Sequence, residues 1–185
     1  LHRSAVHGSR RQSTQTKNQF LMSAASILKE LEARGFKLAI AESLTGGLLS
    51  AEFVSVPGAS NVLLGSIVAY QTSLKHELLG VSRTLLENQG AVDPEVAAQM
   101  AAGIRTKLAS KTNTDESQVI GIATTGVAGP DAQDGVTVGT VYIAISGPGA
   151  IGDSVYTHDF SGGRVSIRTT TVSEAISALG ECLGH

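Results

Sequence analysis

The stretch that most restricts what this chain can fold into is Ala41-Glu42-Ser43-Leu44-Thr45-Gly46-Gly47, read with its flanks. Residues 37–41 form a short apolar run that predicts a buried strand, and residues 48–54 predict the start of a helix. The polar heptad then sits on a strand-to-helix turn. Such a turn aims backbone N–H groups, and the positive end of the helix dipole, at one spot. Two glycines let a ligand approach the backbone closely. A glutamate and two hydroxyls in so short a turn suggest chemistry. The competing reading is a helix cap, in which Ser43 or Thr45 merely satisfies the first amides.

Alternation of elements follows on both sides. Residues 20–34 carry apolar side chains at helical spacing, with Gly35 as the stop. Residues 62–70 predict a second strand, 75–79 a helix ended by Gly80, and Ser82 the cap of a short helix through Leu86. Asp93-Pro94-Glu95 is a strong helix start, and the helix runs through Val96, Met100, Ile104 and Leu108 to about Ser110. Residues 119–123 predict a buried strand, 139–146 and 153–160 a hairpin, and 164–183 a last helix despite Thr169-Thr170-Thr171. Helices alternating with strands, plus a hairpin, predict an α/β fold: a layered α/β/α arrangement with a mixed sheet. Trp is absent and aromatics are 4%, so Ala, Val, Ile and Leu must fill the core.

Residues 1–19 differ from the remainder. They hold Arg3, Arg10, Arg11 and Lys17 with several Ser and Thr, no acid and no pattern. They are expected to be a tail, whether linker, tag remnant or targeting segment, with one domain over residues 20–185. A net charge of −2 offers no electrostatic case for nucleic acid, and no apolar run reaches the length of a membrane span. A lone Cys182 excludes an intrachain disulfide and suits a reducing compartment. The expected location is cytoplasmic, or an organelle if the tail is a targeting segment.

Ligands of α/β folds bind at the carboxyl ends of strands. Three polar clusters lie at such ends: residues 42–47, 70–75 and 124–131. A serine nucleophile needs a base. No histidine is well placed: His2, His7 and His185 are near the termini, and His76 and His158 read as solvated. A lysine serves when partial desolvation lowers its pKa, and Lys75 follows an apolar strand close to Tyr70. Its competing reading is an ordinary surface lysine. Thr125-Gly126-Val127-Ala128-Gly129-Pro130 can offer amides to an anion, as can any glycine turn. Neither a Walker A loop nor a dinucleotide fingerprint nor a metal-ligand cluster is present, so no metal or cofactor is expected.

These motifs resemble the CinA C-terminal domain family, whose members include the nicotinamide-mononucleotide (NMN) amidohydrolases. The resemblance is carried by residues 41–47, by Pro57-Gly58-Ala59-Ser60, by Tyr70 through Lys75 with Leu79-Gly80-Val81, and by Gly90-Ala91-Val92. It continues in residues 125–130, in Val138-Gly139-Thr140-Val141 and in Phe160-Ser161-Gly162-Gly163-Arg164. It implies a three-layer α/β/α sandwich and hydrolysis of the NMN carboxamide to nicotinic acid mononucleotide and ammonia, a step of pyridine-nucleotide salvage. By the same resemblance Ser43 is the nucleophile, Lys75 its base, and Tyr70 a helper in proton transfer. Glu42, Thr45, Gly46, Gly47, Thr125, Gly126 and Arg164 are then substrate-binding, with Arg164 for the phosphate. A homo-oligomer, dimer or higher, is expected.

Three departures from the family pattern stand out: Thr72 in place of Asn, the insertion Asp131-Ala132-Gln133-Asp134 before Gly135, and Gly163 in place of Asp. They leave open a competing class, a competence-associated nucleotide-binding or regulatory domain with little turnover. Hydrolysis of a different amide is the third reading, since pocket shape decides the substrate.

Overall fold

In a computed structural model of the chain, residues 22–185 are described. The expected tail, residues 1–19, and Phe20 and Leu21 of the expected first helix lie outside them. The elements are α1 (Ala24–Ala33), β1 (Lys37–Glu42), α2 (Leu48–Val54), β2 (Leu63–Val68), α3 (Thr72–Leu79), α4 (Arg83–Gln89) and α5 (Pro94–Thr112). They continue with β3 (Val119–Gly126), β4 (Thr140–Ser146), β5 (Asp153–Asp159) and α6 (Arg164–Cys182). The five strands form one sheet in the order β2-β1-β3-β4-β5. The first three run parallel, and β4 and β5 continue the sheet antiparallel. This is the α/β architecture with a helix-flanked mixed sheet that the alternation predicts.

Successive residues of a strand face opposite sides, and the two faces are built differently. Leu38 and Ile40 of β1, Ile120 and Ile122 of β3, and Val141, Ile143 and Ile145 of β4 pack with buried residues of α1, α2 and α6. The other face presents Ala39, Ala41, Ala123 and Ala144 to Met100 and Ile104 of α5. Small residues let α5 lie very close to the sheet. A Cβ at Gly121 of β3 would stand 2.2 Å from the carbonyl oxygen of Ala101 in α5, and α5 lies equally close to α3, where a Cβ at Gly103 would stand 1.8 Å from the carbonyl oxygen of Leu79.

Helix starts follow their caps. Ser23 Oγ accepts from Ser26 N at 3.1 Å, and Asp93 Oδ1 accepts from Glu95 N at 2.8 Å and Val96 N at 3.3 Å, with Pro94 in the first turn. The three consecutive threonines of α6 remain helical. Thr169 and Thr171 donate their hydroxyls to their own helix, at Val165 O and Ile167 O, instead of competing with it.

Some boundaries differ from expectation. β3 continues past Ala123 because Thr124, Thr125 and Gly126 pair with Ile143, Tyr142 and Val141 of β4. Neighbouring backbone holds them extended although their side chains read as a loop. β2 stops at Val68, and α3 begins at Thr72 instead of Lys75. Because β1, β2 and β3 are parallel, their carboxyl ends lie on one edge. β5, antiparallel to β4, ends on the same edge and delivers the start of α6 there. Among the described residues no helix is long and apolar enough to cross a membrane.

Gly121→Ala forces a methyl group into the α5 backbone. It is expected to lower stability by about 1–3 kcal/mol, the ordinary cost of overpacking. A shift of the urea midpoint at constant slope would measure this.

Candidate active site

The turn after β1 is built by its own backbone and one carboxylate. Ser43 N donates to Thr124 O at 3.0 Å, and Gly46 N donates to Ser43 O at 3.1 Å. Glu42, fully buried, folds forward over the start of α2. Its carboxylate accepts from Gly47 N (3.0 Å), Leu49 N (3.1 Å), Ser50 N (2.9 Å) and the Ser50 hydroxyl. Helix α2 is therefore capped by the last residue of the preceding strand, not by Ser43 or Thr45. Thr45 Oγ1, also buried, pairs with Thr124 Oγ1 at 2.8 Å. Ser43 is left with its hydroxyl free of any capping duty.

Lys75 reaches that hydroxyl from the first turn of α3. Its side chain is fully buried, and Nζ lies 3.0 Å from Ser43 Oγ, 2.8 Å from Ala69 O and 3.4 Å from Tyr70 O. Among the described residues it makes no ion pair. Desolvation pulls its pKa down to about 8 from 10.5. The contact set orients the neutral amine. Two carbonyls can only accept, so they take the two N–H groups of the amine and leave its lone pair to the Ser43 proton.

A cavity of about 510 Å³ opens over this pair, within the size range of small-molecule sites. All three predicted clusters contribute to its wall. Ser43, Tyr70, Lys75, Thr125, Gly126 and Arg164 line it, as do Thr72, Asp131 and Gln133, where the chain departs from the family pattern. Arg164 ties the rim: it donates to Gly129 O at 2.6 Å and to the Tyr70 hydroxyl at 3.0 Å. Thr125 Oγ1 donates to Ala91 O at 2.7 Å, which joins β3 to the segment that enters α5.

Four expected substrate-binding residues do not line the cavity. Glu42, Gly46 and Gly47 use their polar groups within the turn, and Thr45 is buried beside Thr124. An anion at the start of α2 would meet the Glu42 carboxylate already there, so that helix end offers no phosphate site. Tyr70 also differs from expectation. Its hydroxyl bonds to Arg164, and its contact with Lys75 is through the backbone carbonyl. His76 is half-buried, with Nδ1 2.8 Å from Val81 O, and His158 stacks on Phe160. Neither lines the cavity. Among the described residues no group of three or more His, Cys, Asp or Glu is placed to hold a metal ion.

Sequence reasoning missed Arg168. Its Nε donates to Leu44 O at 2.9 Å and its Nη2 to Thr45 O at 3.0 Å. The available signal was its spacing from Arg164. Two cations at i and i+4 on a helix repel unless each has its own acceptor.

Residues 21–183 match the family model of the CinA C-terminal domain. The chain belongs to this family. It is 42% identical over 158 residues to a CinA-like protein of Frankia casuarinae, an alignment covering 85% of this chain and 34% of that protein. The chain thus spans about a third of the length of such curated relatives. Among solved structures, a competence-damaged protein (CinA) superfamily protein from Klebsiella pneumoniae 700603 superposes with a TM-score of 0.77 at 29% identity, covering 88% of this chain and 96% of that one. The competence/damage inducible protein CihA of Agrobacterium tumefaciens gives 0.76 at 29% identity, covering 86% and 92%.

The buried amine has a measurable signature. Between its folded pKa near 8 and its unfolded value of 10.5, the unfolded chain binds more protons, so this group makes stability rise with pH across that window. Lys75→Met removes the titration. The stability of wild type relative to Lys75→Met is expected to grow from pH 8 toward pH 10.5, as read by urea denaturation at each pH.

Proposed function

We propose that this domain is an amidohydrolase that converts NMN to nicotinic acid mononucleotide and ammonia, with Ser43 as nucleophile and Lys75 as its base. One observation carries the reading: a lysine with no surface exposure and a pKa near 8 has its nitrogen 3.0 Å from a serine oxygen on the wall of a ligand-sized cavity. The choice of the NMN carboxamide as substrate is supported by the resemblance of the site motifs to those of the family's NMN amidohydrolases.

The steps follow from the groups present. Neutral Lys75 takes the Ser43 proton as Oγ attacks the carboxamide carbon. The tetrahedral intermediate collapses, the C–N bond breaks, and the Lys75 ammonium returns a proton to the leaving nitrogen, releasing ammonia. The resulting ester on Ser43 is attacked by water, with Lys75 again taking the proton. The carboxylate product departs as Ser43 regains its hydrogen. Arg164, exposed at the rim, supplies positive charge for the nucleotide phosphate, and Tyr70 beside it offers an aromatic face.

A second reading, nucleotide binding without turnover, draws on Thr72, Asp131 and Gln133, the departures from the family pattern that line the cavity. Ammonia release separates the two. Wild type is expected to release ammonia from NMN without added metal, and Ser43→Ala and Lys75→Ala are expected to lose at least about 100-fold in kcat. Binding of NMN by folded wild type without ammonia release would favour the second reading. Activity is expected to rise with pH through an apparent pKa near 8, as Lys75 loses its proton. A rate that falls across that range would sink the assignment of Lys75 as base.

A further inference from the structure

Arg168 touches neither cavity nor base, yet it holds the two residues that follow the nucleophile. Its guanidinium makes two bonds at ordinary length to successive carbonyls, Leu44 O and Thr45 O, across 124 and 123 positions of sequence. The group is half-buried, and among the described residues no carboxylate pairs with it. It lies against the turn, with Nη2 3.4 Å from where a Cβ at Gly46 would stand. Glu42 meanwhile holds the same turn through its amides, at Gly47, Leu49 and Ser50. The turn bearing Ser43 is thus gripped by an anion on its N–H groups and by a cation on its C=O groups.

From this geometry we infer that Arg168 is a positioning residue for the Ser43 nucleophile, acting through the Leu44–Thr45 backbone. The inference rests on Ser43 being the nucleophile. In a planar trans peptide, C=O and N–H point in opposite directions. With Leu44 O drawn to Arg168, the N–H of Thr45 faces away from α6, and among the described residues it has no acceptor. A guanidinium bonded to carbonyls and to no carboxylate also polarises that peptide. It favours negative charge near Ser43, the charge that a tetrahedral intermediate develops. Arg168 can do this only because α6 begins on the site edge. Arg164 in its first turn ties the rim, and Arg168 one turn later ties the turn after β1.

Arg168→Ala and Arg168→Lys test the assignment beside wild type and Ser43→Ala. Two readouts are used: ammonia release from NMN, and the rate at which Ser43 is phosphonylated by a fluorophosphonate reagent. The second does not depend on the natural substrate. Arg168→Ala is expected to lower both kcat and labelling rate by about 100-fold, as misplacement of a nucleophile does, with KM changed less than about threefold. The pH limb near 8 is expected to stay in place, because Lys75 keeps its surroundings. Arg168→Lys, which keeps the charge but not the fork, is expected to recover about tenfold of the loss. Millimolar guanidinium is expected to restore part of the labelling rate to Arg168→Ala.

Wild-type labelling rates in folded Arg168→Ala would overturn the inference. So would a raised KM with unchanged kcat, which would make Arg168 a substrate contact. If wild type labels at Ser43 but leaves NMN intact, slow labelling of Arg168→Ala supports positioning while the NMN reading fails. No labelling of wild type together with no ammonia release would overturn both.

Discussion

A carboxylate buried at the end of β1 holds the site edge together. Glu42 takes three amides and a hydroxyl from the start of α2 and so fixes the path of the chain out of the sheet. Ser43 must then sit next to the strand end with its hydroxyl unused, and its amide is locked to β3 through Thr124 O. Without that carboxylate the buried amide of Leu49 would be left unsatisfied, at a cost of about 1–3 kcal/mol, and the half-buried amides of Gly47 and Ser50 would lose their acceptor. A capping serine or threonine in its place would have drawn the reactive hydroxyl into structural service.

Peptide dipoles, not opposite side chains, answer the charges of this site. Glu42 is met by N–H groups, Lys75 by the carbonyls of Ala69 and Tyr70, and Arg168 by the carbonyls of Leu44 and Thr45. This separation matters for reactivity. A carboxylate beside Lys75 would hold its proton and raise its pKa, whereas burial among neutral groups lowers it to about 8. The backbone supplies enough hydrogen bonding to bury the amine and too little charge to keep it protonated.

The unequal faces of the sheet serve the same end. Alanine and glycine on the α5 side bring that helix against the strands, and its Asp93-capped start sits beside Ala91, the acceptor for Thr125. The larger aliphatic face carries α6, whose first two turns send Arg164 and Arg168 to the edge. A fold with few aromatic residues thus reaches a tight site by backbone proximity more than by bulky side chains.

Local pattern was enough to read the layered α/β class, the caps at Asp93 and Ser82, and the gathering of three polar clusters at strand ends. Periodicity, turn chemistry and the rule of parallel strand ends all act over short stretches. Resemblance paired Ser43 with Lys75, since nothing local says whether a lysine is buried. Tertiary structure decided what each polar group does. Glu42 turned inward because the α2 amides lay within its reach. Thr124 to Gly126 stayed extended because β4 was beside them, and the Tyr70 hydroxyl went to Arg164 because α6 returned to the same edge. Arg168 was invisible along the chain for the same reason. Its partners lie 124 and 123 residues away, and only the closing of the last helix onto the first strand's turn brings them together.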